Sequence, residues 1–239
     1  MVDLELGDGL AVITIDRPDV RNAIGLHTMD ELEKALDTVA SAHVLVIKGA
    51  GDRAFISGGD LKELAAIRTE DQATEMALRM RRICDRIARF PAPVIAALNG
   101  HALGGGAEVA VAADIRIAAA DVKIGFTQVN LAIMPAWGGA ERLAGLVGRG
   151  RALLLAGTGR VLTAAEARDL GLVDEVVPRP TFEDAWRSLA RSLAHPAARE
   201  IKRITGGGVP TTEAARAFAR LWVSDEHWTA AERLMTRKR

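Results

Sequence analysis

Val94-Ile95-Ala96-Ala97-Leu98-Asn99-Gly100-His101-Ala102-Leu103-Gly104-Gly105-Gly106-Ala107-Glu108 is the stretch from which the rest of the chain is best read. Pro91-Ala92-Pro93 stops whatever precedes it, and the five apolar residues that follow form a short run typical of a strand buried on both faces. Asn99 to Gly106 is then a glycine-rich turn leading into an alanine-rich helix from about Gly105 to Ala113, and Ile115–Ala118 is the next strand. Working back, Leu10–Ile15 is β-branched and apolar and is broken by Asp16-Arg17-Pro18-Asp19, so it reads as the strand that starts the fold. A helix from Thr28 carries Met29, Leu32, Ala35, Leu36 and Val39 at helical spacing, and Val44–Ile47 is a second buried strand. After a loop at Gly49–Gly59, Asp71–Phe90 is amphipathic, with Met76, Met80, Ile83, Cys84 and Ile87 on one face. Repeated strand–helix alternation predicts an α/β core with parallel pairings and right-handed crossovers. From Gly138 onward the pattern is mostly helical, over Gly139–Leu146, Arg149–Ala156, Ala164–Leu170, Thr181–Leu193, Arg199–Ile204 and Thr211–Ala231.

Composition narrows the functions available. The 239 residues are 49% hydrophobic and 26% charged, with 31 Lys and Arg against 31 Asp and Glu, so no broad basic field attracts a nucleic-acid backbone or a membrane surface. Anionic ligands must therefore be met by local positive groups. Cys84 is the sole cysteine, which rules out an intramolecular disulfide, and no Cys/His cluster has the spacing of metal ligands. Met1–Leu6 lacks the basic lead-in of a signal peptide, and the apolar region Val94–Ile115 contains Asn99, His101, Glu108 and Asp114, which are costly in hydrocarbon. A cytoplasmic protein is the expectation.

Four features carry polar or conformational chemistry: Ser57-Gly58-Gly59-Asp60, Gly104-Gly105-Gly106-Ala107-Glu108, Gln128, and Pro135-Ala136-Trp137-Gly138-Gly139. None matches a phosphate-binding loop, a dinucleotide fingerprint or a serine-hydrolase elbow. A triple glycine opening a helix leaves backbone N–H groups free and lets an oxyanion approach. Gly105 can donate one such bond and the Gly58-Gly59 pair another from a different loop; tight turns would use the same glycines. In a two-donor oxyanion hole, losing one donor costs on the order of 2.7–4 kcal/mol of barrier stabilisation. Glu108 sits among Ala107, Val109, Ala110, Val111 and Ala112, so its carboxylate is expected in a partly buried place. Desolvation there favours a general acid/base role, while a first-turn acid or a buried salt bridge is the structural alternative. Trp137 is either a pocket wall or a core or subunit-contact aromatic, and His101 is expected to be structural.

Several motifs in order carry a family likeness. Asp16-Arg17-Pro18, Arg21-Asn22-Ala23, Ala54-Phe55-Ile56-Ser57-Gly58-Gly59-Asp60-Leu61-Lys62-Glu63 and Asn99-Gly100-His101-Ala102-Leu103-Gly104-Gly105-Gly106-Ala107-Glu108 closely resemble the enoyl-CoA hydratase/isomerase (crotonase) family. The likeness continues through Pro135, Gly138-Gly139, Arg142-Leu143, Val147-Gly148 and Gly171-Leu172-Val173, and loosens beyond about Pro178. The resemblance implies a crotonase-like ββα spiral core over residues 1–178 and a helical trimerisation region over 179–239, in a homotrimer or dimer of trimers. It implies an acyl-CoA thioester as substrate, with CoA entering as part of that substrate and no other cofactor. It assigns the oxyanion hole to the N–H groups of Gly59 and Gly105, and acid/base work to Glu108. Arg21, Ala23, Asp60, Leu61 and Lys62 fall on positions near the bound thioester or CoA, with a solvated surface charge as the alternative reading of Arg21 and Lys62.

The chain departs from the family pattern at one decisive place. Where typical hydratases carry a second glutamate, twenty residues after Glu108, this sequence has Gln128. An amide holds a water or a substrate oxygen but does not exchange a proton at neutral pH. The resemblance therefore implies hydration or dehydration of an enoyl-CoA with Glu108 alone. Enoyl-CoA isomerisation, decarboxylation of an alkylmalonyl-CoA and non-catalytic acyl-CoA binding are the alternatives; Pro135–Gly139 resembles the ethylmalonyl-CoA decarboxylase branch over a short stretch.

Overall fold

The computed structural model describes residues 1–237. Its first sheet has the strand order β1 (Val2–Gly7), β2 (Leu10–Ile15), β3 (Val44–Gly49), β5 (Val94–Leu98), β7 (Ile115–Ala119), β10 (Glu175–Val177). Only β1–β2 is antiparallel; every later neighbour is parallel, in keeping with the continuous apolar runs of β3 and β5, which are buried along almost their whole length. A second sheet has the order β4 (Ala54–Ile56), β6 (His101–Leu103), β8 (Lys123–Gly125), β9 (Val161–Thr163). Its first three strands are parallel, and β9 closes it antiparallel.

The two orders together define a spiral. Each turn of the chain lays one strand in the first sheet, the next in the second sheet, and then coils: β3, β4 and α2 (Glu70–Ala88); β5, β6 and α3 (Gly105–Ala110); β7, β8 and a 3-10 turn at Thr127–Leu131. This is the ββα spiral that the motifs imply. The passage from one sheet to the other is held by buried amides. Asn99 Oδ1 accepts from the Gly49 N–H at 2.9 Å while its Nδ2 donates to the carbonyls of Gly49 and Gly51 at 2.8 and 2.7 Å. Asn22 Nδ2 does the same for the carbonyls of Ala50 and Ala54. Without these side chains the sharp turns would leave buried backbone groups unpaired.

Helices cover the sheets. α1 (Leu26–Thr38) buries Met29, Leu32 and Leu36 at helical spacing. In α2 the Thr69 hydroxyl caps the start by accepting from the Gln72 N–H, Glu70 and Asp71 sit in the first turn, and Pro91 and Pro93 prevent continuation. α4 (Gly139–Val147), α5 (Arg149–Thr158) and α6 (Ala164–Asp169) follow; α7 (Phe182–Leu193) turns Phe182, Trp186 and Ala190 inward against β3 and β7. α8 (Pro196–Thr205), α9 (Thr211–Trp222) and α10 (Asp225–Arg237) bury little, and Phe218, Trp222, Trp228 and Leu234 stay exposed on them. Among the described residues no helix is long and apolar enough to cross a membrane.

Five local expectations are corrected. The fold starts not at Leu10 but at β1, whose alternation of polar and apolar residues pairs residue for residue with β2. The Gly49–Gly59 loop contains β4, and the Asn99–Gly106 turn contains β6; three-residue strands have no periodicity of their own and exist because each pairs with the other. The helix expected to reach Ala113 ends at Ala110. The helix expected over Thr211–Ala231 is two helices, because the Ser224 hydroxyl accepts from the His227 N–H and starts α10 afresh. Outside the helices expected after Gly138, β9 and β10 each complete a sheet edge.

Candidate active site

The spiral brings the second-sheet strands and α3 into close contact, and glycines are what permit it. A Cβ on Gly106 would fall 1.8 Å from the Ile56 carbonyl oxygen, so only glycine lets α3 lie directly against the end of β4. Gly104, at φ 55°, makes the reversal into α3 and is tied to β8 by its N–H to the Gly125 carbonyl at 2.9 Å. The loop after β4 is threaded the same way. Ile24 donates to the Gly58 carbonyl at 2.8 Å and accepts from the Asp60 N–H at 2.9 Å. Both bonds face the Ile24 side, so the Gly59 N–H, lying between them in sequence, points away. Neither the Gly59 nor the Gly105 N–H has an acceptor among the described residues. The Gly59 and Gly105 donors are thus both free, and their loops lie close together: a Cβ on Gly58 would fall 3.3 Å from the Gly105 nitrogen.

Glu108 projects from α3 with 2% of its surface exposed. Its Oε1 accepts from Gln128 Nε2 at 2.8 Å, and its Oε2 accepts from the backbone N–H groups of Trp137 and Gly139 at 2.7 and 3.0 Å. Burial pushes the carboxyl above the ordinary glutamate range, and the three donors oppose that push. A carboxylate so raised is suited to take and return a proton, and so held it has one orientation. Gln128 is itself buried; its Oε1 has no partner among the described residues. The structure thus brings Gln128, twenty residues on in sequence, into direct hydrogen-bond contact with Glu108. What sequence did not signal is that the Pro135–Gly139 stretch supplies Glu108 with two main-chain donors, since backbone groups carry no residue code.

Trp137 closes the arrangement. A Cβ on Gly105 would fall 2.1 to 2.9 Å from three atoms of the Trp137 six-membered ring, and Cζ2 of the same ring stands 4.0 Å from the Cβ position of Gly59. The indole therefore spans both donor residues. Of the remaining expected site residues, Ala23 is buried in the strand-like segment beside the Gly59 loop. Asp60 is committed to its own loop: Oδ1 accepts from the N–H groups of Lys62 and Glu63, and Oδ2 pairs with Arg17 at 3.0 Å; against the opposing effect of burial, the two backbone donors first and Arg17 after them hold its carboxyl below the usual range. Arg17 is the residue sequence reasoning passed over. Its guanidinium also reaches the Ala23 carbonyl at 2.7 Å and Glu63, joining the two loops that flank the donors. Leu61, Lys62 and Arg21 lie exposed at the rim, and neither cation has a carboxylate partner among the described residues. His101 faces outward, its Nδ1 accepting from the Lys123 N–H, and takes no part in the site.

A buried, oriented carboxylate beside two free amide donors on a ββα spiral is the context in which family comparison becomes decisive. The family model described as enoyl-CoA hydratase/isomerase matches residues 5–216. The chain belongs to the enoyl-CoA hydratase/isomerase family. A crotonyl-CoA hydratase from Syntrophomonas wolfei is 40% identical over 198 residues, covering 80% of this chain and 75% of that one. A Bacillus subtilis protein carrying the enoyl-CoA hydratase name is 41% identical over 175 residues, 72% of this chain and 67% of its own length. The crystal structure of an enoyl-CoA hydratase from Bacillus anthracis superposes with a TM-score of 0.86 at 32% identity, covering 100% of this chain and 96% of that one. The crotonase-like fold extends over the whole chain and the family match over residues 5–216.

Proposed function

We propose that the protein is an enoyl-CoA hydratase-type lyase that adds water to, and removes it from, a 2-enoyl-CoA using one carboxylate. The observation that carries this reading is Glu108, buried and fixed by three donors, next to the free N–H groups of Gly59 and Gly105. The thioester oxygen accepts from those two N–H groups, which stabilise the negative charge that develops there on enolate formation. Water adds through its oxygen to the β-carbon, Glu108 takes the proton released, and the same carboxyl returns a proton to the α-carbon. The unpartnered Gln128 Oε1 is available to accept the second hydrogen of that water. No cofactor beyond the CoA of the substrate is required.

Isomerisation of a 3-enoyl-CoA is the second reading, favoured by the presence of one carboxylate, because a 1,3-proton shift needs a single base and no water. Decarboxylation ranks behind: an alkylmalonyl carboxylate at this place would face Glu108 and the Gln128 carbonyl, both acceptors. Binding without turnover ranks behind as well, since it would not need the carboxylate that the loop holds in place. Arg21 and Lys62, exposed at the rim, are proposed partners for the CoA phosphates. The apolar residues exposed on α8–α10 support assembly into a homotrimer or a dimer of trimers, and a cytoplasmic location fits the lone buried thiol of Cys84.

Mass spectrometry with chromatography on 2-enoyl, 3-enoyl and alkylmalonyl thioesters tests the reading. Gain of water from crotonyl-CoA supports hydration; unchanged mass with altered retention identifies an isomerase. Loss of carbon dioxide identifies a decarboxylase. Glu108→Gln is expected to lower turnover on the order of 100-fold or more while CoA thioesters still bind; unchanged turnover would remove Glu108 from the mechanism.

A further inference from the structure

Trp137 is anchored through its backbone on both sides and its ring is buried. Its N–H donates to Glu108 Oε2 at 2.7 Å, and its carbonyl accepts from Arg142 Nη1 at 3.1 Å, while Arg142 also pairs with Asp85 on α2. With the backbone pinned from both sides, the side chain is 7% exposed and runs from Gly105 toward Gly59. Leu64 Cδ1 stands 3.0 Å from the Cβ position of Gly59 and closes the space beside it. The surface between the two amide donors and the carboxylate is therefore roofed by an indole rather than left open. An acyl group with its carbonyl oxygen on those N–H groups and its α-carbon at Glu108 has this ring as a neighbour, because the ring lies against Gly105 and the Trp137 N–H is bonded to Glu108.

We propose that Trp137 is the specificity-determining residue of this site and confines it to short acyl-CoA thioesters. The inference rests on the acyl-CoA reading given above. Its energetic basis is steric: a rigid, buried aromatic cannot be displaced without breaking its packing on Gly105, whereas removing it leaves a cavity lined by apolar atoms that extra methylenes can fill. Misfit or gain of a methylene in such a pocket changes discrimination by about 10- to 200-fold.

The test uses saturated ligands as well as substrates, so that pocket size is measured apart from chemistry. Isothermal titration of the intact protein with butyryl-CoA and decanoyl-CoA is expected to show preference for the shorter chain. Trp137→Ala is expected to raise decanoyl-CoA affinity relative to butyryl-CoA on the order of 100-fold, and turnover of decenoyl-CoA relative to crotonyl-CoA should move in the same direction. Trp137→Leu, which keeps most of the apolar filling, should give a smaller shift of the same sign and serves if the alanine variant does not fold. Equal chain-length profiles in the wild-type and variant proteins, or wild-type preference for decanoyl-CoA, would overturn the proposal. Selective butyryl-CoA binding that Trp137→Ala relaxes, without turnover of any enoyl-CoA, would uphold it and reject the hydratase reading instead. Failure of every thioester to bind would reject both.

Discussion

Replacing Gln128 by glutamate restores a carboxyl group where typical hydratases of the family have one, and the geometry states what it costs. The Gln128 Nε2 that would become a carboxyl oxygen lies 2.8 Å from Glu108 Oε1, inside a buried site. Two unit negative charges at that separation repel by about 6 kcal/mol at an effective dielectric of about 20. Two buried carboxyls so close do not both ionise readily, so the pair's upper apparent pKa is raised above the ordinary glutamate range. A group whose folded pKa is raised is most favourable to the folded state at low pH, and stability is lost as pH climbs from the unfolded to the folded pKa. Relative to wild type, Gln128→Glu should therefore cost more stability at pH ~7 than at pH ~5. Urea unfolding followed by circular dichroism at the two pH values reads the difference. The proton such a pair retains also supplies an acid beside Glu108, so hydration of crotonyl-CoA should rise in the variant. A stability cost independent of pH would refute the paired-carboxyl reasoning; no gain in hydration would mean that the site is shaped for a reaction that does not need the second acid.

Three further outcomes follow from contacts already described. The acid limb of the pH–rate profile should fall at a pH above the ordinary glutamate value of 4.5, because the base must be ionised and burial raises Glu108; a limb at or below that value would show another group to be titrating. Gly105→Ala places a methyl group 2.1 Å from the Trp137 ring and should destabilise by about 1–3 kcal/mol, with much of the loss recovered in the Gly105→Ala/Trp137→Ala double variant. Strictly additive losses in thermal melts would show that the two residues do not press on each other. Asn99→Ala removes three hydrogen bonds from the turn between the sheets and should cost about 3 kcal/mol in denaturant unfolding; a loss below ~0.5 kcal/mol would mean that the turn holds itself.

How much of this was legible in the sequence depended on whether a residue's partner lay nearby or far along the chain. Val94–Leu98 announces itself as a buried strand because all five residues are apolar, and α2 because its apolar face repeats over five turns. β4 and β6 do not, since each is three residues long and acquires strand geometry by pairing with a segment some forty-five residues away. The same distinction governs the site. Glu108 stood out as a carboxylate in an alanine-rich helix, and Gln128 as the departure at a fixed spacing from it. The donors on Glu108 from Trp137 and Gly139 were not legible, because any residue presents the same N–H and only the fold aims it. Asp60 shows the converse: its motif marked it, but its carboxylate is spent on Arg17 and two local amides.

The two halves of the oxyanion hole are secured by different forces. Gly105 is wedged in place by contact, with Ile56 behind its helix and the indole in front. The loop bearing Gly59 is tied to Ile24 by two backbone bonds and is further buckled to the Ala23 segment by one guanidinium that grips Asp60 and Glu63, and Glu63 stands more than a third open to solvent. Temperature and cavity-making substitutions act on the first fastening, ionic strength on the second. One jaw of the hole can thus be slackened by dissolved salt while the other stays rigid, giving the pair a mechanical asymmetry that neither glycine possesses alone.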